Sequence, residues 1–354
     1  MAGSESVSSV YMVVALVVVL CLIFTYTNGF QDGSSVCASA LASRSMSRRS
    51  ATLLVATFEF LGALLGGSAV AGTISRITSW PAQPDLLPVL ASALFAAIAW
   101  NVFTRKVGIP ASSTHSLVGG IVGSVVAASG GFQYLVFGDF GYLIHATGLW
   151  KVVLSLFVSP VVGMAVGYYL LTFAVMNLRR ATTEMNIVFK KAFWLVVPVL
   201  AFGHGANDTQ KAMGVIMLTL CASGILPTNS EIPLWVRLVT GLSMALGVLS
   251  LAPQIVRKVG GIYKLKPLHG LVSETASSII VAFASATGGP LAASQVIAST
   301  VVGVGAAEHK KRVHWMVARD MVQGWCLTIP CAASVAWITY VFFFCHLKSF
   351  CYGQ

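Results

Sequence analysis

Asn28, Gln31 and Asp32 stand at the end of a long apolar run, in the stretch "TNGFQDGSS" (27–35). Asn207 and Asp208 lie inside a second long apolar stretch, in "GHGANDTQKAMG" (203–214). An ionisable side chain at membrane depth costs about 2.5–3.5 kcal/mol on insertion scales. Asp32 and Asp208 therefore need a compensating partner. Carboxylates, Asn amides and freed backbone carbonyls are oxygen ligands that suit a hard cation, so Na+ is expected at Asp32 and Asp208. A proton carried on the carboxylates is the alternative. Gly29, Gly33, Gly203, Gly205 and Gly214 are expected to break the helices here and release backbone groups. Ser34 or Ser35 would then cap the half-helix that follows. The two Asp are read as equivalent positions of two repeats. The competing reading is a structural polar network between packed helices.

A second chemistry sits in "GIPASSTH" (108–115). Pro110 suits the first turn of a helix, and Ser112, Ser113 and Thr114 crowd hydroxyls beside it. Free amides and the positive end of a helix dipole, joined by hydroxyls, make an oxyanion site. "GGPLAASQ" (288–295) offers the same backbone with a single hydroxyl, Ser294. Small residues also cluster where membrane helices pack, which is the competing reading. Glu274 in "GLVSETASSII" is expected to be an ion or proton ligand, and Glu59 is open between function and packing. Lys211 follows Asp208 by three residues and shares its helical face, so it neutralises that carboxylate or meets the anion. Gln31, Ser35, His204 and Gln210 complete the accessory set, and His115 is expected to orient its hairpin by hydrogen bonding.

These groups need elements that hold them inside a bilayer. Hydrophobic residues make up 56% of the chain and charged residues 9%, against about 25% charged in soluble domains. Mean hydropathy is +0.84. The apolar runs are continuous, which excludes the alternating short segments of a membrane β-barrel. The chain is read as an all-α integral membrane protein, multi-pass in the plasma (inner) membrane and surrounded by lipid. The start "MAGSESVSS" lacks Lys and Arg, so the first run is expected to be a span and not a signal peptide. No metal-type Cys spacing is present in the sequence.

At about 20 residues per crossing, ten spans are expected: 10–28, 51–72, 86–104, 110–129, 149–177, 192–219, 235–256, 270–287, 290–307 and 321–346. Lys and Arg collect in alternate loops, around 44–49, 105–106, 179–191, 257–266 and 310–319. The positive-inside rule places those loops in the cytosol and both termini outside. The same bias explains the net charge of +11, so no nucleic-acid partner is needed. Asn28 and Asn207 are 179 residues apart, and Pro110 and Pro290 are 180 apart. The shared offset predicts two inverted-topology repeats, 1–177 and 192–354, joined by a cytosolic linker 178–191, with broken helices or re-entrant hairpins.

The motifs resemble a known family. "FGHGANDTQKAMG" is similar to the second signature of the inorganic phosphate transporter (PiT) family, and "TNGFQDGSS" and "GIPASSTH" to its first signature and its hairpin. "FLGALLGGSAVAGTI" (60–74) and "RVHWMVARDMVQGWCLTIP" (312–330) are also similar to family segments. The resemblance implies a secondary symporter that imports inorganic phosphate with Na+ or H+ by alternating access, and a homodimer. It implies cation binding at Asn28, Asp32, Asn207 and Asp208. It also implies phosphate binding at Ser112, Ser113 and Thr114 with the matching Ala292, Ala293 and Ser294. Gln31 and the second hairpin's Ala-Ala-Ser-Gln depart from the family pattern. Sulfate or another oxyanion is the alternative cargo. A membrane-embedded enzyme lacks the polar active-site loop it would need, and a non-transporting sensor lacks a soluble domain. No catalytic residue and no cofactor is expected.

Overall fold

Apolar runs of this length dictate helices, and a computed structural model of the chain is all-helical apart from an isolated bridge between Thr78 and Leu135. The structure describes residues 2–81, 83–107, 111–139, 146–180, 182–228 and 230–345. Pro110 and its neighbours Gly108 and Ile109 lie outside the described residues. The helices are α1 (Ala2–Val36), α2 (Ala38–Ala42), α3 (Arg48–Leu65), α4 (Ala69–Ser75), α5 (Leu86–Val107), α6 (Ser113–Ser129) and α7 (Gly148–Asn177). They continue as α8 (Met185–Ala222), α9 (Leu234–Leu249), α10 (Pro253–Ile262), α11 (Pro267–Thr287), α12 (Ala293–His309) and α13 (Trp315–Thr339).

Six of these helices, α1, α5, α7, α8, α11 and α13, are long and apolar enough to cross a membrane. The pairs α3/α4 and α9/α10 meet the same test only together, bent by 71° and 73°, which gives up to eight spans. The expected segments 110–129 and 290–307 fold as α6 and α12, each of 17 residues. At 1.5 Å per residue such a helix measures about 25 Å, short of a bilayer core of about 30 Å. Non-helical backbone precedes α12 from 289 to 292, so Pro290 stands ahead of the N-cap Ala292 and not in the first helical turn. The expected linker 178–191 is shorter than its sequence suggested, because α8 already begins at Met185.

The breaks do not fall where the sequence placed them. α1 runs unbroken through Gly29 and Gly33, and α8 through Gly203, Gly205 and Gly214. Several of these glycines serve close approach instead. A Cβ on Gly29 would lie 2.3 Å from the Met244 carbonyl oxygen, and one on Gly205 would lie 2.2 Å from that of Glu59. The real bends come at Gly66–Ser68, where Gly67 has φ +83°, and at Ser250–Ala252, where Pro253 opens α10. Gly205→Ala is expected to force α3 and α8 apart at a cost of about 1–3 kcal/mol or more. It would appear as a lowered thermal midpoint in detergent; a parent-like midpoint would show that the contact yields.

Packing sets the level of the site. One apolar cluster holds Phe24 of α1, Ile121 of α6 and Ala212 to Ala222 of α8. A second holds Val36 at the end of α1, Phe193 to Ala201 of α8 and Ala293 to Val302 of α12. α1 thus passes from the first cluster to the second, and α8 passes the opposite way. Between the clusters both helices carry their polar residues, 25–35 and 204–211. α6 and α12 start at this polar band and run into opposite clusters. Reciprocal neighbours recur: α1 packs on α9 and α3 on α8, and α7 packs on α12 and α6 on α13.

Candidate functional site

The polar band brings α1, α3, α6, α8 and the approach to α12 into one hydrogen-bonded network. Asp208 is its hub. Lys211 Nζ donates to Asp208 Oδ1 at 2.6 Å, one helical turn away, and both side chains are fully buried. The same ammonium donates to Thr114 Oγ1 at 2.6 Å and to the Leu291 carbonyl at 3.0 Å. Asn28 Nδ2 donates to Asp208 Oδ2 at 2.9 Å, which ties α1 to α8. His204 lies between two acids: its Nδ1 is 2.6 Å from Glu59 Oε1, and its Nε2 is 3.5 Å from Asp208 Oδ2.

The hairpin hydroxyls are each engaged. Ser112 accepts from the His115 backbone amide at 3.3 Å and caps α6. Ser113 Oγ lies 2.5 Å from Asp32 Oδ2 and 2.9 Å from Asn28 Oδ1, and its single proton serves one of them at a time. Thr114 donates to the Leu291 carbonyl at 3.0 Å while accepting from Lys211. Among the described residues His115 Nδ1 has no partner, and the His115 backbone amide donates to Ser112 Oγ at the start of α6. At the second hairpin Ala292 is the N-cap of α12, Ala293 its first residue, and Ser294 Oγ is unpaired. Asn207 Nδ2 donates to the Gly289 carbonyl at 3.0 Å, and Gln31 Nε2 to that of Ala111 at 2.7 Å.

Asp32 and Asp208 differ in kind. At the offset set by Asn28 and Asn207, Asp32 stands opposite Lys211 and Asp208 opposite Gly29. Among the described residues Asp208 is bonded to a buried ammonium, whereas Asp32 is bonded to the Ser113 hydroxyl and leaves Oδ1 without a partner, with Lys258 at the wall of the same cavity. Asp32 lines a cavity of about 10 Å³ with Gln31, Ser35 and Ser294, among others. In each of these residues a buried side-chain oxygen lacks a partner: Asp32 Oδ1, Gln31 Oε1, Ser35 Oγ and Ser294 Oγ. A space of that size is close to what one water or ion takes up.

Other expected residues lie outside the network or support it. Among the described residues no hydrogen bond or ion pair joins Glu274 to it; Glu274 is buried in α11, beside Ser39 and the Ala40 backbone of α2. Gln210 secures α4, accepting from Val70 N at 2.8 Å and donating to the Gly66 carbonyl at 2.9 Å. Ser34 stays inside α1, and its Oγ accepts from Ala252 N at 2.7 Å at the start of α10. Sequence reasoning missed Asn101. Its Oδ1 accepts from Ser116 at 3.0 Å and its Nδ2 reaches Thr27 Oγ1 at 3.4 Å, so it braces α5 against α6 and α1. An amide inside the apolar run "AIAWNVFT" was the available signal.

Comparison with known proteins agrees with this geometry. The phosphate transporter family model matches residues 28–336. A Bacillus subtilis protein described as a probable low-affinity inorganic phosphate transporter is 30% identical over 338 residues, covering 94% of this chain and 97% of its own. A Mycobacterium tuberculosis protein of the same description is 33% identical over 327 residues, covering 92% of this chain and 76% of its own. A solved structure described as the sodium-dependent phosphate transporter superposes with a TM-score of 0.78 at 26% identity, over 93% of this chain and 98% of its own. These relatives are described as transporters and not as enzymes, and this chain belongs with them to the phosphate transporter family.

Proposed function

We propose that the protein is a secondary symporter that imports inorganic phosphate with Na+ by alternating access. The observation that carries this reading is the cavity at Asp32, lined by Gln31, Asp32, Ser35 and Ser294, each of which has an unpaired buried side-chain oxygen. One carboxylate, one amide carbonyl and two hydroxyls form an oxygen donor set that suits a hard cation, with the Lys258 ammonium at the cavity's edge as the cation's competitor for Asp32. The sodium dependence of the similar solved transporter favours Na+ over H+.

Charge supplies the coupling. Asp32, Glu59 and Asp208 bring three carboxylates to the band, with Lys211 as the ammonium facing them and His204 between two of them. An anion entering beside Asp32 meets like charge until a cation is bound. Cation first, or both together, is therefore the favourable order, and a return of the empty carrier does not waste the gradient. The anion is held by the N-terminal amides of α6 and α12 with Ser112, Ser113, Thr114 and Ser294, and Lys211 adds its charge. Ala292 and Ala293 contribute backbone only. The hydroxyls of Ser113 and Thr114 exchange their present partners for phosphate oxygens, so anion binding and the Asp32–Asp208 network are one switch. Asn28, Asn207 and Asp208 hold the frame or a second cation, and Glu274 takes part from outside the network.

The architecture of this reading is two inverted repeats, α1–α7 and α8–α13, with α6 and α12 as their hairpin helices, which enter the bilayer beside the six long helices and the two bent pairs. The opposed paths of α1 and α8, the matched bends and the reciprocal neighbours support it. Cytosolic basic loops, outer termini and a homodimer follow from the loop charges and the family resemblance. The test is uptake of labelled phosphate into proteoliposomes under an inward Na+ gradient. Accumulation that needs the gradient, and resists competition by sulfate, is expected. Equal drive by a proton gradient alone would overturn Na+ coupling, and accumulation of sulfate in place of phosphate would overturn the cargo.

A further inference from the structure

The cavity at Asp32 shares lining residues with two neighbouring spaces. Lys258 and Met321 line that cavity and also line a second, larger one of about 370 Å³, which Gln254, Arg257 and Gly261 of α10 surround with Val317 and Asp320 of α13. Trp325, with Met321, also borders an apolar cleft of about 580 Å³ between α7, α12 and α13. Met321 thus stands where three spaces meet, and it and Trp325 are both buried. Ile255 and Val259 of α10 complete the apolar part of the closure around the Asp32 cavity.

The opposite approach is built differently. There α4 is fastened by Gln210, Thr73 Oγ1 donates to the Gly288 carbonyl at 2.8 Å, and Lys151 Nζ donates to the Thr287 carbonyl at 2.8 Å. Those bonds fix the entry to α12 from α4 and α7. Side chains such as Met321 and Trp325 can leave by rotation, and the apolar cleft behind them gives a bulky indole somewhere to go at no polar cost. The charge pattern agrees, because Arg257 and Lys258 outnumber Asp320 at the wall of the vestibule, and a net positive wall raises the local concentration of an anion.

The geometry points to Met321 and Trp325 as the gate of the buried site, opening onto the vestibule at Arg257 and Lys258, where the oxyanion is held in passage. The nature of the cargo rests on the symport reading above; the position of the gate does not. α13 swings its first turns away from α10, Trp325 turns into the cleft, and Lys258 meets the anion as it leaves the amides of α6 and α12.

Val259 lines the Asp32 cavity and is almost fully buried, so it reports on opening. In a Cys-free protein carrying Val259→Cys, modification by a membrane-impermeant thiol reagent is measured from each face, in intact cells and in inverted vesicles. Slow reaction from both faces is expected with the gate intact. Adding Trp325→Ala should speed reaction from the basic-loop face by about tenfold or more, since a closure with one large side chain fewer opens more easily, and leave the other face unchanged. Met321→Ala carries the same test where Trp325→Ala fails to fold, and Trp325→Phe should restore slow reaction. Arg257→Gln should raise the phosphate concentration for half-maximal transport from that face severalfold at low salt. Unchanged modification in both gate variants, or faster reaction from the opposite face only, would overturn the gate. Parent vesicles that move no phosphate while the thiol result holds would overturn the cargo and leave the gate standing.

Discussion

Asp208→Asn is expected to destabilise the folded protein by about 3–5 kcal/mol, the cost of leaving a buried charge without its partner. The reason is Lys211. Its ammonium is fully buried, and Asp208 is the acid bonded to it; the remaining contacts, Thr114 Oγ1 and the Leu291 carbonyl, are neutral. Removing the Asp208 charge also strips His204 of one of its two acidic neighbours. Lys211→Met should cost less, because it leaves an anion that His204 and Asn28 still contact. The double variant Asp208→Asn with Lys211→Met should recover most of the stability, since replacing both members of a buried pair is often near neutral. Transport should stay lost in all three. Thermal midpoints in detergent, followed by size exclusion, read the cycle. A single Asp208→Asn as stable as the parent would show that Lys211 does not depend on this carboxylate, and would remove Asp208 as the hub.

The parts of this molecule that follow from local pattern were legible before the structure. Apolar runs located the six long helices, although α1 and α8 extend past their expected bounds and two expected spans are bent pairs, and polar residues inside α1 and α8 marked the level of the candidate site. The shared offset between Asn28/Asn207 and Pro110/Pro290 gave the repeat hypothesis. The local pair of Lys211 with Asp208 was legible from its spacing, whereas partnership between distant segments was not. Glu59 and His204 meet across 145 residues, and Thr114 finds Lys211 across 97. The glycines of the two motifs carry the same ambiguity: Gly permits a break, and it equally permits another helix to come close. Only the neighbours Met244 and Glu59 decide for the second at Gly29 and Gly205. The true bends did have local signals, the Gly66-Gly67 pair and Pro253 at the first position of α10. Met321 and Trp325 had none, since a Met and a Trp in an apolar helix look like any lipid-facing pair until the cavities beside them are seen.

Asp32→Asn should separate coupling from folding. Among the described residues no ammonium is bonded to Asp32, although Lys258 lines its cavity, and the Asp32 bond is to the Ser113 hydroxyl, which an Asn side-chain carbonyl can still accept, more weakly. The substitution keeps shape and removes one charge from a band already crowded with carboxylates, so the thermal midpoint should stay at or above that of the parent. The cation site loses its only carboxylate among Gln31, Asp32, Ser35 and Ser294. A unit charge about 4 Å from a cation is worth about 4 kcal/mol at an effective dielectric near 20, so Na+ affinity should fall by roughly a thousandfold. Phosphate binding should suffer less, because removing the Asp32 charge also removes repulsion toward the anion. The expected phenotype is a folded carrier that exchanges phosphate for phosphate but no longer accumulates it on an Na+ gradient. Uptake measured against Na+ concentration, beside exchange measured without a gradient, distinguishes the two. A half-maximal Na+ concentration like that of the parent would place the coupling ion away from Asp32, and the four unpaired oxygens would then need another occupant.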